Sequence, residues 1–160
     1  DVVAVLDEGR ILQSGEGTAV FAHPATGRVA ELLGAENVLA GSATVRPDGM
    51  IEFRSGSLVV HAAPVAESAV EPGPAHAVIR AEEIVLERGE GGGAAEVSSR
   101  NALRCIVLSR SAGRPLVRVE LDAGDAALVA LVTSASTEEL RLEPGTIVTA
   151  RFKATAVRIC

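Results

Sequence analysis

The sequence contains the same order of β-sheet signals twice, and this repeat constrains the fold more than any other feature. An Asn-x-Leu opening at Asn37-Val38-Leu39 returns at Asn101-Ala102-Leu103, and a Pro-Gly turn at Pro72-Gly73 returns at Pro144-Gly145. Each opening is followed by a predicted hairpin, and each Pro-Gly turn by a final strand. We therefore expect two small β-modules in tandem, over residues 36–88 and 97–160.

Alternating and β-branched runs predict the strands of both modules. The segment Leu116–Leu121 places Val117, Val119 and Leu121 on one face of a strand. The predicted strands are Val38–Val45, Met50–Arg54, Leu58–Ala62 and Ala77–Arg80 in the first module, and Asn101–Arg110, Leu116–Asp122, Ala127–Thr133 and Ile147–Ile159 in the second. The Gly-rich stretch 88–95 between the modules has the composition of a flexible linker.

Residues 1–34 show a different pattern, with strands predicted at Val2–Leu6 and Arg10–Ser14. Short helices are predicted at Thr18–Phe21 and Gly27–Leu33, and Gly34 is a typical helix stop. The chain begins with Asp and its only Met is Met50, which favours a piece of a longer protein. It has no run of 18 apolar residues and no signal peptide.

Composition narrows the fold and the partners. Apolar residues make up 48% of the chain but aromatic residues only 2%, with no Trp or Tyr. A core of Val, Ala, Leu and Ile suits a compact barrel, where interior space is small. The net charge of −6 argues against nucleic acid as a partner, and three Phe leave few aromatic rings for stacking on bases.

Charge is distributed unevenly, and the positive part carries groups that suit a small oxyanion. Residues 1–96 have a balance of −9, whereas residues 97–160 have a balance of +3. Arg100 and Lys153 supply fixed positive charge. The hydroxyl donors in this part are Ser98, Thr133, Ser136 and Thr155. Ser136 and Glu139 form an S-x-x-E capping box, which predicts a short helix beginning just after Ser136.

Three motifs in the second module occur in order. They are Ser98-Ser99-Arg100-Asn101, Val132-Thr133-Ser134-Ala135-Ser136 and Phe152-Lys153-Ala154-Thr155-Ala156-Val157. This set resembles the Mop domain, a small β-barrel that binds molybdate or tungstate, with the pattern S-A-R-N, V-T-x-x-S and F/I-K-A-S/T-x-V. Ser99 departs from the usual Ala. The resemblance implies oxyanion contacts from Ser98, Arg100, Asn101, Thr133, Ser136, Lys153, Ala154 and Thr155.

The N-terminal part carries a second resemblance. Residues 1–15 and the segments Val20–Pro24 and Val29–Gly34 are similar to the last strands and closing helices of an ABC transporter ATPase domain. Glu36–Leu39 and Ala77–Ile84 resemble the entry and exit of the accessory TOBE domain, with Ala81 in the place of the usual Pro. The resemblance implies a mainly β fold: tandem OB-like (TOBE/Mop) barrels preceded by a short α/β remnant of the ATPase domain, residues 1–34.

The two resemblances together imply the C-terminal regulatory part of a molybdate or tungstate ABC importer's ATP-binding subunit. Such a part would bind the oxyanion as it accumulates in the cytoplasm and regulate transport. The family resemblance implies a homodimer with the oxyanion at the subunit junction. The full subunit would bind ATP and Mg, and would meet membrane permease subunits at the inner face of the membrane.

Other functions stay open at this point. The barrels could be a structural or dimerisation module of an importer for another solute, and a free molybdate-storage protein would fit residues 97–160 alone. Arg100 could be a surface arginine, Lys153 an edge-strand lysine, and Thr133 and Ser136 only a helix cap. No catalytic residue is predicted, since the sequence has no G-x-x-x-x-G-K-[ST] loop. The His residues suggest no metal site, and Cys105 and Cys160 are predicted to be free thiols.

Overall fold

Antiparallel β-strands make up most of the chain in the computed structural model, which describes residues 1–65, 70–89 and 99–160. The strands are β1 (Val2–Asp7), β2 (Arg10–Glu16), β3 (Asn37–Val45), β4 (Ile51–Ser55), β5 (Leu58–Ala62), β6 (Gly73–Ile79), β7 (Val85–Arg88), β8 (Asn101–Arg110), β9 (Leu116–Asp122), β10 (Ala127–Thr133), β11 (Ile147–Phe152) and β12 (Val157–Ile159). The helices are α1 (Gly17–Ala22), α2 (Gly27–Leu32) and α3 (Ser134–Glu139), and 3-10 turns occupy Ala81–Glu83 and Ala154–Ala156.

The N-terminal segment is a β1–β2 hairpin followed by α1 and α2, as its sequence predicts. The Thr26 side chain caps α2 by accepting a hydrogen bond from the Val29 N–H. Val5, Val20 and Val29 form a small core between hairpin and helices that is separate from the main core. This segment therefore has its own packing and lies against the β-modules as an appended unit.

The two β-modules each form a five-stranded antiparallel sheet. The strand order is β12-β6-β3-β4-β5 in the first sheet and β10-β9-β8-β11-β7 in the second. The edge strands β12 and β5 contact each other, as do β10 and β7, so each sheet curls towards closure. The predicted mainly β, OB-like architecture is confirmed. Val117, Val119 and Leu121 are buried, as their alternation predicts.

The two sheets exchange their last strands. β7 follows the first sheet in sequence but pairs with β11 of the second, and β12 at the chain end pairs with β6 of the first. The prediction of one strand over Ile147–Ile159 is therefore wrong. The chain leaves the second sheet at Phe152, turns through Ala154–Ala156 and enters the first sheet. Strand β7, which was not predicted, is the counterpart of β12.

The internal repeat is confirmed by matching strand registers. Asn37 lies opposite Ile79 in the first sheet, and Asn101 lies opposite Phe152 in the second. We call β3 to β7 the first repeat and β8 to β12 the second repeat. A single hydrophobic core runs through both, from Phe53 and Ile79 to Leu121 and Phe152. Because the core and the exchanged strands are shared, the repeats form one folding unit.

The two asparagines that open the repeats fasten them to each other. The Asn37 Nδ2 donates to the Val129 carbonyl at 2.9 Å, and its Oδ1 accepts from the Val129 N–H at 2.6 Å. Asn101 does the same with His61, at 2.9 Å to the carbonyl and 2.7 Å from the N–H. Val129 lies on β10 and His61 on β5. Each repeat thus satisfies main-chain groups of the other in the same way.

Candidate functional site

Arg100 and Lys153 lie at the same level of the second sheet. Asn101 and Phe152 are opposite each other in the β8–β11 register, and each of the two cations is the next residue outward from that pair. Both side chains are exposed. Lys153 is the only lysine of the chain, whose other basic side chains are arginines. We call Arg100 and Lys153 the cation pair.

The cation pair differs from most other arginines of the fold. Arg110, Arg118 and Arg151 each contact a carboxylate at 2.7 Å or less. Across residues 1–65, 70–89 and 99–160, neither Arg100 nor Lys153 forms an ion pair. Two adjacent exposed cations that form no ion pair with the described residues create a local positive potential, which attracts small anions.

The backbone after Lys153 is held firmly. Lys153 is the residue before the 3-10 turn, and the Ala156 N–H donates to its carbonyl at 3.0 Å. The Ala63 N–H donates to the Ala154 carbonyl at 3.0 Å, and Arg158 Nη1 donates to the Thr155 carbonyl at 2.6 Å. Ala154 is buried, whereas the side chain of Thr155 is exposed beside Lys153. The Arg158 contact was not predicted, although its spacing of three residues from Thr155 suits such a turn.

Asn101 has a structural place in this cluster. It is 2% exposed, and its side-chain amide bonds both main-chain groups of His61. It therefore holds the start of β8, the strand that positions Arg100. One sequence signal indicates this role, the matching Asn-x-Leu opening at Asn37, whose side chain bonds in the same way.

Thr133 and Ser136 begin helix α3, but the predicted capping box is wrong. The helix begins at Ser134, three residues earlier than predicted, and its N-cap is Thr133. The Thr133 Oγ1 accepts from the Ser136 N–H at 3.1 Å and lies 2.8 Å from the Ser136 Oγ. A Thr-x-x-Ser pair and a Ser-x-x-Glu pair overlap in this stretch, and the earlier pair forms the cap.

The candidate residues fall into two groups within one chain. Arg100, Asn101, Lys153, Ala154 and Thr155 lie where β8 begins and β11 ends. Thr133 lies opposite Leu116 in the pairing of β10 with β9. It is therefore at the end of the sheet where β8 finishes at Arg110, the residue that pairs with Val119. The ten residues of β8 separate the two ends, on the order of 30 Å at the usual rise per residue. Ser98 lies outside the described residues.

One cleft lies next to these residues without including the cation pair. It has a volume of about 380 Å³ and separates α1 and α2 from the first sheet. Phe21, Ala30 and Leu33 line one side, and Arg80 and Thr155 the other. Its apolar lining suits packing between segments better than it suits a small anion.

The described part of the chain also contains potential metal ligands and two thiols. No group of three or more His, Cys, Asp or Glu side chains among these residues could hold a metal ion. Cys105 is buried in the core, and burial raises the pKa of its thiol to about 11. Both cysteines are free, as predicted. None of the described helices has the length and apolar character needed to cross a membrane.

Comparisons with known proteins place the second repeat in a family. The TOBE domain matches residues 97–159. The molybdate/tungstate import ATP-binding protein WtpC of Pyrococcus abyssi is 31% identical over 160 residues, which is 99% of this chain and 42% of the relative. WtpC of Pyrococcus horikoshii is also 31% identical, over 159 residues. The chain thus spans less than half the length of these relatives.

Two further matches bear on the ligand. The putrescine transport ATP-binding protein PotG of Escherichia coli is 31% identical over 85 residues, covering 52% of this chain and 22% of the relative. Among solved structures, the cytoplasmic molybdate-binding protein ModG with molybdate bound superposes with a TM-score of 0.71 at 26% identity. That superposition covers 79% of this chain and 96% of ModG.

Proposed function

Residues 97–159 are a TOBE domain in a chain homologous to the C-terminal part of the molybdate/tungstate importer subunit WtpC, and on that premise we propose that this chain binds molybdate or tungstate to regulate an importer. The observation that carries the proposal is the cation pair. Arg100 and Lys153 are adjacent, exposed and without a carboxylate partner in the described part of the chain. The likeness to ModG supports the choice of oxyanion.

The cation pair supplies the charge that a divalent tetrahedral oxyanion needs. A guanidinium and an ammonium side by side donate charge-assisted hydrogen bonds, which are about twice as strong as neutral ones. The exposed side chain of Thr155 adds a hydroxyl donor beside Lys153. In our proposal Asn101, whose side chain bonds both main-chain groups of His61, contributes by fixing the start of β8.

The site is completed by a second copy of the chain in our proposal. Thr133 and Ser136 lie at the other end of β8 from the cation pair, so they reach the same oxyanion only from another chain. An oxyanion held between two chains would favour the homodimer. The oxyanion shifts the equilibrium between two states of the dimer only by the difference in its affinity for those states. This difference would set how strongly it regulates the transporter.

The whole protein's activity follows from its relatives rather than from this part. We infer that the longer protein is an ATP- and Mg-dependent ABC ATPase that works with membrane permease subunits at the inner face of the membrane. This part would then act as its cytoplasmic sensor. The match to PotG favours one alternative, a structural or dimerisation module of an importer for another solute.

Calorimetry with tungstate, molybdate, sulfate and phosphate tests the proposal. Tungstate and molybdate should bind and raise the melting temperature, because a ligand of the folded state stabilises it by mass action. Lys153→Ala should weaken binding at least tenfold, about 1.4 kcal/mol, and Arg100→Lys should weaken it less. Arg54→Ala removes an exposed arginine on β4 and is the matched control.

The single lysine offers a direct readout. Amine acetylation of the folded chain should modify Lys153 and abolish tungstate binding, and bound tungstate should protect it. Equal effects of Lys153→Ala and Arg54→Ala would show that the cation pair is not the site. An absence of any thermal shift at millimolar tungstate would favour the structural-module alternative.

A further inference from the structure

The repeat provides a counterpart for each residue of the cation pair. Asn37 matches Asn101 and Ile79 matches Phe152 in the strand registers. Glu36 therefore stands where Arg100 stands, and Arg80 stands where Lys153 stands. Glu82 is the counterpart of Thr155 in the 3-10 turn. The first repeat thus reverses the charge at one position of the pair and adds a carboxylate at the turn.

The carboxylate of Glu36 is paired inside the chain. Arg118 Nε donates to Glu36 Oε1 at 2.7 Å, and its Nη1 donates to Glu120. Glu120 also accepts from the Ser109 Oγ at 2.7 Å. The ion pair joins the start of β3 to β9, and therefore joins the first sheet to the second.

Among the residues that the structure describes, Arg100 of the second repeat forms no equivalent of this ion pair. Val129 matches His61 through the asparagine bonds, and Glu120 lies opposite Val129 just as Glu52 lies opposite His61. Arg118 is two residues before Glu120, and Met50 is two residues before Glu52, so Arg118 corresponds to Met50. Arg118 of the second repeat neutralises Glu36 of the first, whereas the residue of the first repeat that corresponds to Arg118 is the uncharged Met50. Arg80 meanwhile donates to the Phe21 carbonyl at 3.1 Å and lies 3.9 Å from Glu82.

We propose that the Glu36–Arg118 ion pair closes the first repeat to oxyanions, so that each chain contributes one anion-binding cluster and not two. The proposal rests on the proposed function for the second repeat. Glu36 supplies the negative group that an oxyanion would supply, and Arg118 supplies its counter-charge from β9. Glu82 further lowers the local potential around Arg80. The two repeats therefore share one fold, but only the second binds the oxyanion.

Tungstate calorimetry on the whole chain tests this inference. The natural chain should bind one tungstate per chain. Arg80→Ala should leave the affinity within about twofold, whereas Lys153→Ala should lower it at least tenfold. The combined variant Glu36→Arg, Glu82→Thr and Arg118→Met replaces these three charged residues by the residues at the corresponding positions around the cation pair. It should bind two tungstates per chain, and Arg118→Met alone should still bind one.

The number of tungstates bound per chain decides whether this inference holds. Two tungstates per natural chain, with one lost in Arg80→Ala, would overturn it and leave the proposed function intact. A combined variant that retains the natural circular dichroism spectrum but still binds one tungstate would also overturn it. If the natural chain binds none, the proposed function fails. Binding by the combined variant would then support the closing role of Glu36 and Arg118, and its absence would overturn that role too.

Discussion

Replacing Asn37 with Ala should destabilise the chain strongly although the side chain is polar. Asn37 is 1% exposed and makes three hydrogen bonds, two with Val129 and one at 3.1 Å to the Ile79 carbonyl. Each bond contributes about 0.5–1.5 kcal/mol net, and the orphaned Val129 N–H adds about 1–3 kcal/mol. We expect a loss of about 3–5 kcal/mol, which lowers the melting temperature by about 10 °C.

Urea unfolding followed by far-UV circular dichroism measures this loss. Asn101→Ala removes two hydrogen bonds of the same kind and should cost less than Asn37→Ala. Thr44→Ala removes an exposed, long hydrogen bond of 3.4 Å and should stay within about 0.5 kcal/mol. If Asn37→Ala were as mild as Thr44→Ala, the asparagine bonds would not be what fastens the two repeats, and the shared core alone would hold them.

Two further predictions concern the core. A Cβ at Gly41 would lie 2.1 Å from the Arg54 carbonyl oxygen, so Gly41→Ala should lower the free energy of unfolding in urea by at least about 2 kcal/mol. The control is Gly15→Ala, where the nearest atom is 3.5 Å away and the loss should be less than about 1 kcal/mol. Burial raises the pKa of Cys105 from 9.0 to about 11, so the unfolded chain releases this proton at lower pH and the free energy of unfolding should fall as pH rises through that interval. Cys105→Ala should remove most of this loss, and an unchanged dependence of the unfolding free energy on pH would contradict the argument.

Local signals predicted most of the fold. The second-repeat strands Asn101–Arg110, Leu116–Asp122 and Ala127–Thr133 have the predicted bounds, because their apolar alternation and flanking turns specify them locally. The break at Lys153 was missed because no Gly or Pro interrupts Ile147–Ile159. Strand β7 was missed because it adjoins a Gly-rich stretch and its partner β11 is about 60 residues away. Pairing over that distance leaves no local pattern.

The candidate site could also be predicted only in part from local sequence patterns. Sequence motifs predicted Arg100, Lys153 and Thr155, and the structure brings these three residues to one end of the second sheet. The motifs could not show that Thr133 and Ser136 lie at the other end, since strand order and register decide that distance. They also gave no sign of the Glu36–Arg118 ion pair, whose partners are 82 residues apart. Only the confirmed repeat made that pair interpretable.

The exchanged strands also determine when this part can fold during synthesis. The first sheet receives its edge strand β12 from residues 157–159, so it stays incomplete until those residues have left the ribosome. Domains usually fold as units from the N-terminal side, but here neither repeat can close before the other exists. For the same reason, deleting either repeat alone should leave the other without one of its edge strands.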